Sequence, residues 1–241
     1  GQTVNTGTMV IMEGVEVSTL YNFDNKEGGD LINDGTFYIY GNWNNDGLVT
    51  FTPDVESGLT LFQGRYGKQQ ISGNLPSDFY DILLDNPAQQ PAFELSTDII
   101  ISGRAEFKDG IINGHDFGGL VSFQPGATHR KVGDHSFVDG QVLKIGKENF
   151  IYPIGDYEMF RMASMANGGD STDRFNAQYF LENSATQYPH LNKEVTIDLI
   201  DDAEYWVVDR TQGNSDLVLT LSWDERTTPS ALLEDETGQE L

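Results

Sequence analysis

The chain predicts an all-β protein whose larger part is a β-solenoid, a stack of the parallel β-helix kind. Three observations carry that expectation. Short alternating runs recur at intervals of about 8 to 12 residues and are punctuated by Gly, Asn and Asp. The stretch NDGTFYIYGNWNNDGLVTFT, residues 33 to 52, states a turn and a strand twice, because Asn33-Asp34-Gly35 returns twelve residues later as Asn45-Asp46-Gly47. No segment combines helical periodicity with the length that would make a helix stable.

Strands are predicted in chain order over residues 15–20, 36–40, 48–52, 59–62, 79–84, 99–107 and 120–123. Residues 78–85 hold Phe79, Ile82, Leu83 and Leu84 between Pro76 and Pro87, and so short a segment reads as strand rather than helix. Asn and Gly tolerate left-handed backbone, which makes Asn-Asp-Gly turn chemistry and makes its return a periodic bend in the chain. Aligning the two copies sets Phe37 over Val49 and Ile39 over Phe51. Alternation then turns these four inward and turns Tyr38, Tyr40, Thr50 and Thr52 outward. A unit of this kind buries its face only by stacking on neighbours, which favours a solenoid, although a pair of local hairpins joined by GNWNNDG would give the same echo.

The texture changes near Pro153-Ile154-Gly155-Asp156. Downstream, RFNAQYFLEN, EYWVVDRTQG and LVLTLSWDERT are longer strands with more polar connections, as in an Ig-like antiparallel β-sandwich, with Tyr205, Trp206 and Trp223 as its core. Two domains are therefore expected, a solenoid-like stalk over 1–155 and a sandwich over 156–241. Only about five strands fit the second, fewer than the seven of a closed sandwich, so it is expected to be incomplete.

Composition narrows the function. The 241 residues carry 14 Lys plus Arg against 38 Asp plus Glu, a formal charge of −24 with a pI near 4.2. Binding phosphates needs a basic surface that releases counterions, so a nucleic-acid partner is excluded, and an anionic membrane surface is disfavoured for the same reason. Cysteine is absent, which removes disulfides, thiolate metal sites and thiol nucleophiles. No apolar run approaches the ~18 residues of a membrane span. The opening Gly1-Gln2-Thr3-Val4, without Met, fits a chain whose export signal has been removed and fits a tag remnant equally.

No catalytic constellation is expected. Asp201-Asp202, Asp170 with Asp173, and Glu234-Asp235-Glu236 lie in polar connections, and no carboxylate pair is set apart by apolar neighbours that would raise its pKa. His129 and His135 are six apart around RKVGD, a spacing that matches no compact zinc site, and His115 and His190 stand alone. Ser72-Gly73 and Ser102-Gly103 read as turns, and no G-x-S-x-G occurs. No cofactor is expected. Calcium has two weak candidates. The stretch 42–47 resembles the start of an EF-hand loop, but Pro53 stands where the bidentate Glu belongs, so it reads as a turn. Asp170 and Asp173 in GDSTD can converge on a cation more readily. The remaining candidate is a carbohydrate platform of Tyr38, Tyr40 and Trp43, set against the plainer reading of an aromatic contact between rungs.

In order along the chain, DLINDGTFYIYGNWNNDGLVTF, QQISGNLPSDFYDILLDN, SFVDGQVLKIGKENFIYPIGD, FNAQYFLEN and EYWVVDRTQGNSDLVLTLSWD resemble a family of large Bacteroidota surface proteins exported by the type IX secretion system. The family is adhesin-like and gliding-associated, with a β-helical stalk, a β-sandwich and usually a C-terminal sorting domain, which these residues do not include. The resemblance implies an architecture and a place, exported and at the cell surface in association with the outer membrane. Taken with the repeat, the acidity and the missing catalytic constellation, it leads to the expectation of a non-enzymatic structural or interaction protein that docks on a protein partner, or on polysaccharide, without direct membrane insertion. The alternative is a polysaccharide-binding or polysaccharide-degrading β-helix. A groove lined by convergent acids and a Lys or Arg would favour that alternative.

Overall fold

The computed structural model describes residues 1–166, 168–229 and 232. The chain winds as a β-solenoid of about six turns, three short strands to a turn. The first turn is β1 (Gln2–Asn5), β2 (Thr8–Ile11) and β3 (Glu16–Thr19), and the second β4 (Asn22–Asn25), β5 (Asp30–Asn33) and β6 (Thr36–Ile39). The third is β7 (Trp43–Asn45), β8 (Leu48–Thr50) and β9 (Leu59–Phe62), and the fourth β10 (Gln69–Gly73), β11 (Ser77–Phe79) and β12 (Asp81–Asp85). The fifth is β13 (Phe93–Leu95), β14 (Ile99–Ile101) and β15 (Arg104–Asp109), and the sixth β16 (Ile112–Asn113), β17 (Val121–Phe123) and β18 (Thr128–Arg130). Every third strand pairs in parallel, so β1-β4-β7-β10-β13-β16 form one face and β3-β6-β9-β12-β15-β18 another. The face between them is in two pieces, β2-β5-β8 and β11-β14-β17.

The rung register differs from the one expected. Phe37 pairs with Val17 and Thr60 rather than Val49, and Val49 pairs with Leu31. On the first face the spacing over the first three rungs is twenty residues, as in Phe23 against Trp43 and Asn25 against Asn45. The two Asn-Asp-Gly copies sit at different corners, Asn33 closing β5 and Asn45 closing β7. They look alike because both corners impose the same demand: a Cβ on Gly35 would collide with the Val15 carbonyl, and one on Gly47 with the Gly29 carbonyl of the rung beneath. Phe37, Ile39 and Val49 are buried as expected, whereas Phe51 lies past the end of β8, half-buried and edge-on to Tyr80 with centroids 5.3 Å apart.

Two kinds of side chain fill the stack. Inward apolar residues form one continuous core whose widest part is aromatic, Phe23, Phe37, Phe62 and Phe79 surrounding Trp43. At the corner after the first face, asparagines run parallel to the axis. Asn5 donates to the Asn25 side-chain oxygen at 2.8 Å and Asn25 donates to that of Asn45, also at 2.8 Å. Asn25 and Asn45 are fully buried. Asn45 then donates to the carbonyls of Leu75 and Pro76, because the next rung places Gly73, with φ +132°, opposite it.

Beyond the sixth turn the faces change direction without ending. β19 (Val138–Asp139) and β20 (Val142–Ile145) still pair in parallel with β16 and β17. After β21 (Phe150–Tyr152), β22 (Gly155–Asp156) and β23 (Met159–Phe160), the short β24 (Ala163–Ala166), the longer β25 (Arg174–Phe180) and β26 (Tyr205–Gln212), and the short β27 (Val218–Leu221) run antiparallel. β25 pairs with β20 and β26 with β25, while β24 lies between β21 and β27. β25 thus covers the exposed edge of β20 on the middle face, which would otherwise offer unpaired N–H and C=O groups. Phe175, Ala177 and Tyr179 join the same core as the solenoid. The described strands do not establish an Ig-like sandwich. Trp223, expected in its core, is 57% exposed. The C-terminal loops are held by a buried ion pair, Arg161 to Glu204 at 2.7 Å, with Tyr179 donating to the same carboxylate at 2.5 Å. The expectations for Glu234-Asp235-Glu236 lie outside the described residues.

Candidate functional site

Two concave places carry chemistry. The first is a groove on the side of the stack, at the corner where the third face returns to the first. Tyr38 and Tyr40 project outward from the third face, half-buried, with ring centroids 6.5 Å apart and planes at 21°. Trp43 does not join them. It opens β7, where alternation aims it into the core, and its indole N–H donates to Ser77 Oγ at 3.0 Å with no surface exposed. Tyr21 and Tyr66 take its place. They are 51% and 69% exposed and stack with centroids 6.2 Å apart and an interplanar angle of 11°. The groove holds about 300 Å³ between Tyr21, Asn22, Tyr40, Asn42, Tyr66 and Lys68. The Arg65 guanidinium lies 4.6 Å from the centre of the Tyr40 ring.

The local sequence explains why this corner is firm. Asn22 accepts from the backbone N–H of Asn42 at 2.9 Å, and Asn42 accepts from that of Gln70 at 3.0 Å, so an outer ladder fixes three successive rungs. Buried Gln69 donates to the carbonyls of Ile39 and Gly41 and ties the start of β10 to the end of the third face. The segment 63–68, which bears Arg65, Tyr66 and Lys68, spans the gap between β9 and β10 and stands out from a braced base.

The second place is a cleft of about 430 Å³ at the C-terminal end of the first face, lined among others by His115, Asp116, Asp139, Asp156, Phe180 and Glu182. Burial pushes the Asp139 carboxyl up to about 7, with the Asp156 charge adding to it. Asp156 is raised too, chiefly by burial, although it accepts from the Leu181 N–H at 2.9 Å. Gln178 Nε2 lies 2.8 Å from His115 Nδ1, and the His115 ring meets Phe180 edge-on at 5.8 Å. Asn113 donates to Asp116 at 2.7 Å. A carboxyl that holds its proton near neutral pH can act as a general acid. No Lys or Arg is among the described residues that line the cleft. Sequence reasoning passed over Asp139 and Asp156. They are 17 residues apart, about one rung, and meet because β22 returns beside β19, through the bridge from Val138 to Ile154.

The other expected residues disperse. His129 points inward against Phe107, Phe123 and Phe150, its Nε2 2.5 Å from the Ile151 carbonyl and its pKa lowered by burial. His135 is exposed. In the loop expected to favour calcium, Asp170 accepts from the N–H and hydroxyl of Thr172, and buried Asp173 accepts from the Asp170 N–H at 3.1 Å. Both carboxylates thus serve the loop's own donors. Among the described residues no group of three or more His, Asp or Glu is placed to hold a metal ion. In 42–47, Asp46 accepts from Asn44 and Asn74, which is turn chemistry.

Comparison of the chain with protein-family models, with curated proteins and with solved structures finds no match.

Proposed function

We propose that this chain is a non-enzymatic interaction module of the bacterial cell surface, adhesin-like or an accessory part of an outer-membrane assembly linked to type IX secretion or gliding. It works by holding the side of a rigid stack against a partner. The observation that supports this is the braced cluster of Tyr21, Tyr38, Tyr40 and Tyr66 on the flank of a highly acidic chain. Tyrosine presents a large contact area at small entropic cost, which is why it concentrates where proteins bind. The partner is a protein or glycan of the outer membrane. The test is labelling of intact cells, followed by capture of outer-membrane components with the native chain and with a Tyr38→Ala/Tyr40→Ala variant. Surface labelling and a partner lost by the variant support the reading. A protein confined to the cytoplasm defeats it.

A second reading, a polysaccharide-degrading β-helix, draws on the raised carboxyls of Asp139 and Asp156. Reproducible release of sugars from a purified polysaccharide, abolished by Asp139→Asn, would put this reading first.

A further inference from the structure

We infer that the tyrosine groove is a binding site for glycans that carry carboxylates, chains of uronic acids, with Arg65 and Lys68 as the groups that select the charge. This names a ligand class for the flank that the interaction-module reading already uses, and rests on it. Among the described residues nine of the fourteen cations are ion-paired and five, Arg65, Lys68, Lys147, Arg174 and Lys193, are not; Arg65 and Lys68 differ from the other three in sharing one short exposed segment beside an aromatic groove. Lys26, Arg104, Lys108, Arg130, Lys131, Lys144, Arg161, Arg210 and Arg226 each lie within ion-pairing distance of a carboxylate. Arg65 and Lys68 make no ion pair among the described residues, although the chain holds 38 acids to 14 bases. They stand three residues apart on the same exposed segment, and no Asp or Glu lines the groove beside them.

The rings and the cations suit one ligand. A sugar offers a face of C–H bonds that packs on an aromatic ring, and Tyr21 and Tyr66 present nearly parallel rings at the groove. Arg65 is held over Tyr40, so its planar fork is oriented before a ligand arrives and matches a carboxylate with two parallel hydrogen bonds. Lys68, at the groove wall, supplies a second and more mobile positive charge. Asn22 and Asn42 add amide groups that can meet hydroxyls. The groove joins the end of the first rung, at Tyr21, to the segment after the third, at Tyr66, whose rings close to 6.2 Å across the intervening rung. The overall charge of −24 repels a polyanion at long range, but beyond about 8 Å that repulsion is screened at physiological salt, leaving the local field of the groove to decide.

The test is calorimetric titration of the whole chain, at physiological salt, with a galacturonic acid hexamer and with the same hexamer fully methyl-esterified. The acid form is expected to bind and the ester at least tenfold more weakly. Arg65→Ala/Lys68→Ala and Tyr66→Ala are each expected to lose at least tenfold in affinity with unchanged melting temperatures, since all three side chains are exposed. No binding of the acid hexamer, equal binding of acid and ester, or undiminished binding by both variants would overturn the inference. Capture of an outer-membrane partner by a chain that binds no uronate would overturn the glycan site alone and leave the interaction module standing.

Discussion

Phe37 and Phe51 show how far a single residue's environment departs from its place in a sequence pattern. Both fall on the apolar phase of an alternating run, yet Phe37 is fully buried against Phe23 and Trp43 while Phe51 has passed the corner. Phe37→Ala is therefore expected to cost about 3 to 5 kcal/mol in chemical denaturation, and Phe51→Ala about 1 to 2 kcal/mol. Equal losses would mean that the rung register is wrong. Asp139 gives a test in pH. Its folded-state pKa of about 7 lies above the ordinary carboxylate value of 3.8, so the native state holds this proton more tightly than the unfolded chain does. The stability so gained is complete below the ordinary value and is lost as pH rises towards 7. Asp139→Asn should accordingly raise the melting temperature at pH 8 relative to the native chain and leave it little changed at pH 4. The same gain at both values would show that Asp139 is not held neutral by its surroundings.

At the scale of elements, the asparagine ladder does what the apolar core cannot. It satisfies backbone carbonyls at a corner where the chain turns too sharply for strand pairing: Asn25 donates to the Gly29 and Leu48 carbonyls as well as to Asn45. Replacing Asn25 with Ala removes these bonds inside a dry corner and strands their acceptors, each worth about 1 to 3 kcal/mol when left unmade. Urea unfolding should show a loss of that order or more, and amide exchange should quicken at Asp46, whose N–H donates to the Asn25 carbonyl in the adjoining rung. A loss within a few tenths of a kcal/mol would deny the ladder any structural part. Strands of the second and third faces were legible from alternation, but 79–84 and 99–107 each run across a break between two strands, and the whole first face, β1-β4-β7-β10-β13-β16, went unread because its short strands are rich in Asn, Asp and Gln and resemble turns. The register was not legible. On the first face corresponding residues are 20 apart between the first three rungs, 28 apart from the third to the fourth and 24 from the fourth to the fifth, while from the second rung to the third the other two faces are offset by 18 and 23. Corners absorb insertions while the faces keep their pairing, so the true repeat drifts and the twelve-residue echo between two corners stands out instead. The groove was half legible. Tyr40 followed from alternation, as did Tyr38 stacked beside it, but Tyr21 and Tyr66 come together only across rungs, and Trp43 left the surface because residues 43–45, which read as a turn, form strand β7 and aim the indole inward.

The whole molecule is a stack with one long connection exposed at its end. Between β25 and β26 the chain carries only two short 3₁₀ turns, Ser184–Thr186 and His190–Asn192, and Leu191 and Val195 are almost wholly exposed. Limited proteolysis should cut within residues 183–199 before it touches residues 30–150, since a segment with few buried contacts opens first. Early cleavage inside the second or third rung would contradict a continuous core. The central claim is that the tyrosine flank, and not the acidic cleft, is the working surface, and one comparison tests it most directly. Outer-membrane vesicles from the native host are titrated onto immobilised native chain, a Tyr21→Ala/Tyr40→Ala/Tyr66→Ala variant and an Asp139→Asn/Asp156→Asn variant, all first shown to melt cooperatively. Binding lost by the tyrosine variant and kept by the aspartate variant is the expected result. Binding kept by the tyrosine variant and lost by the aspartate variant would contradict the claim and move the function to the cleft.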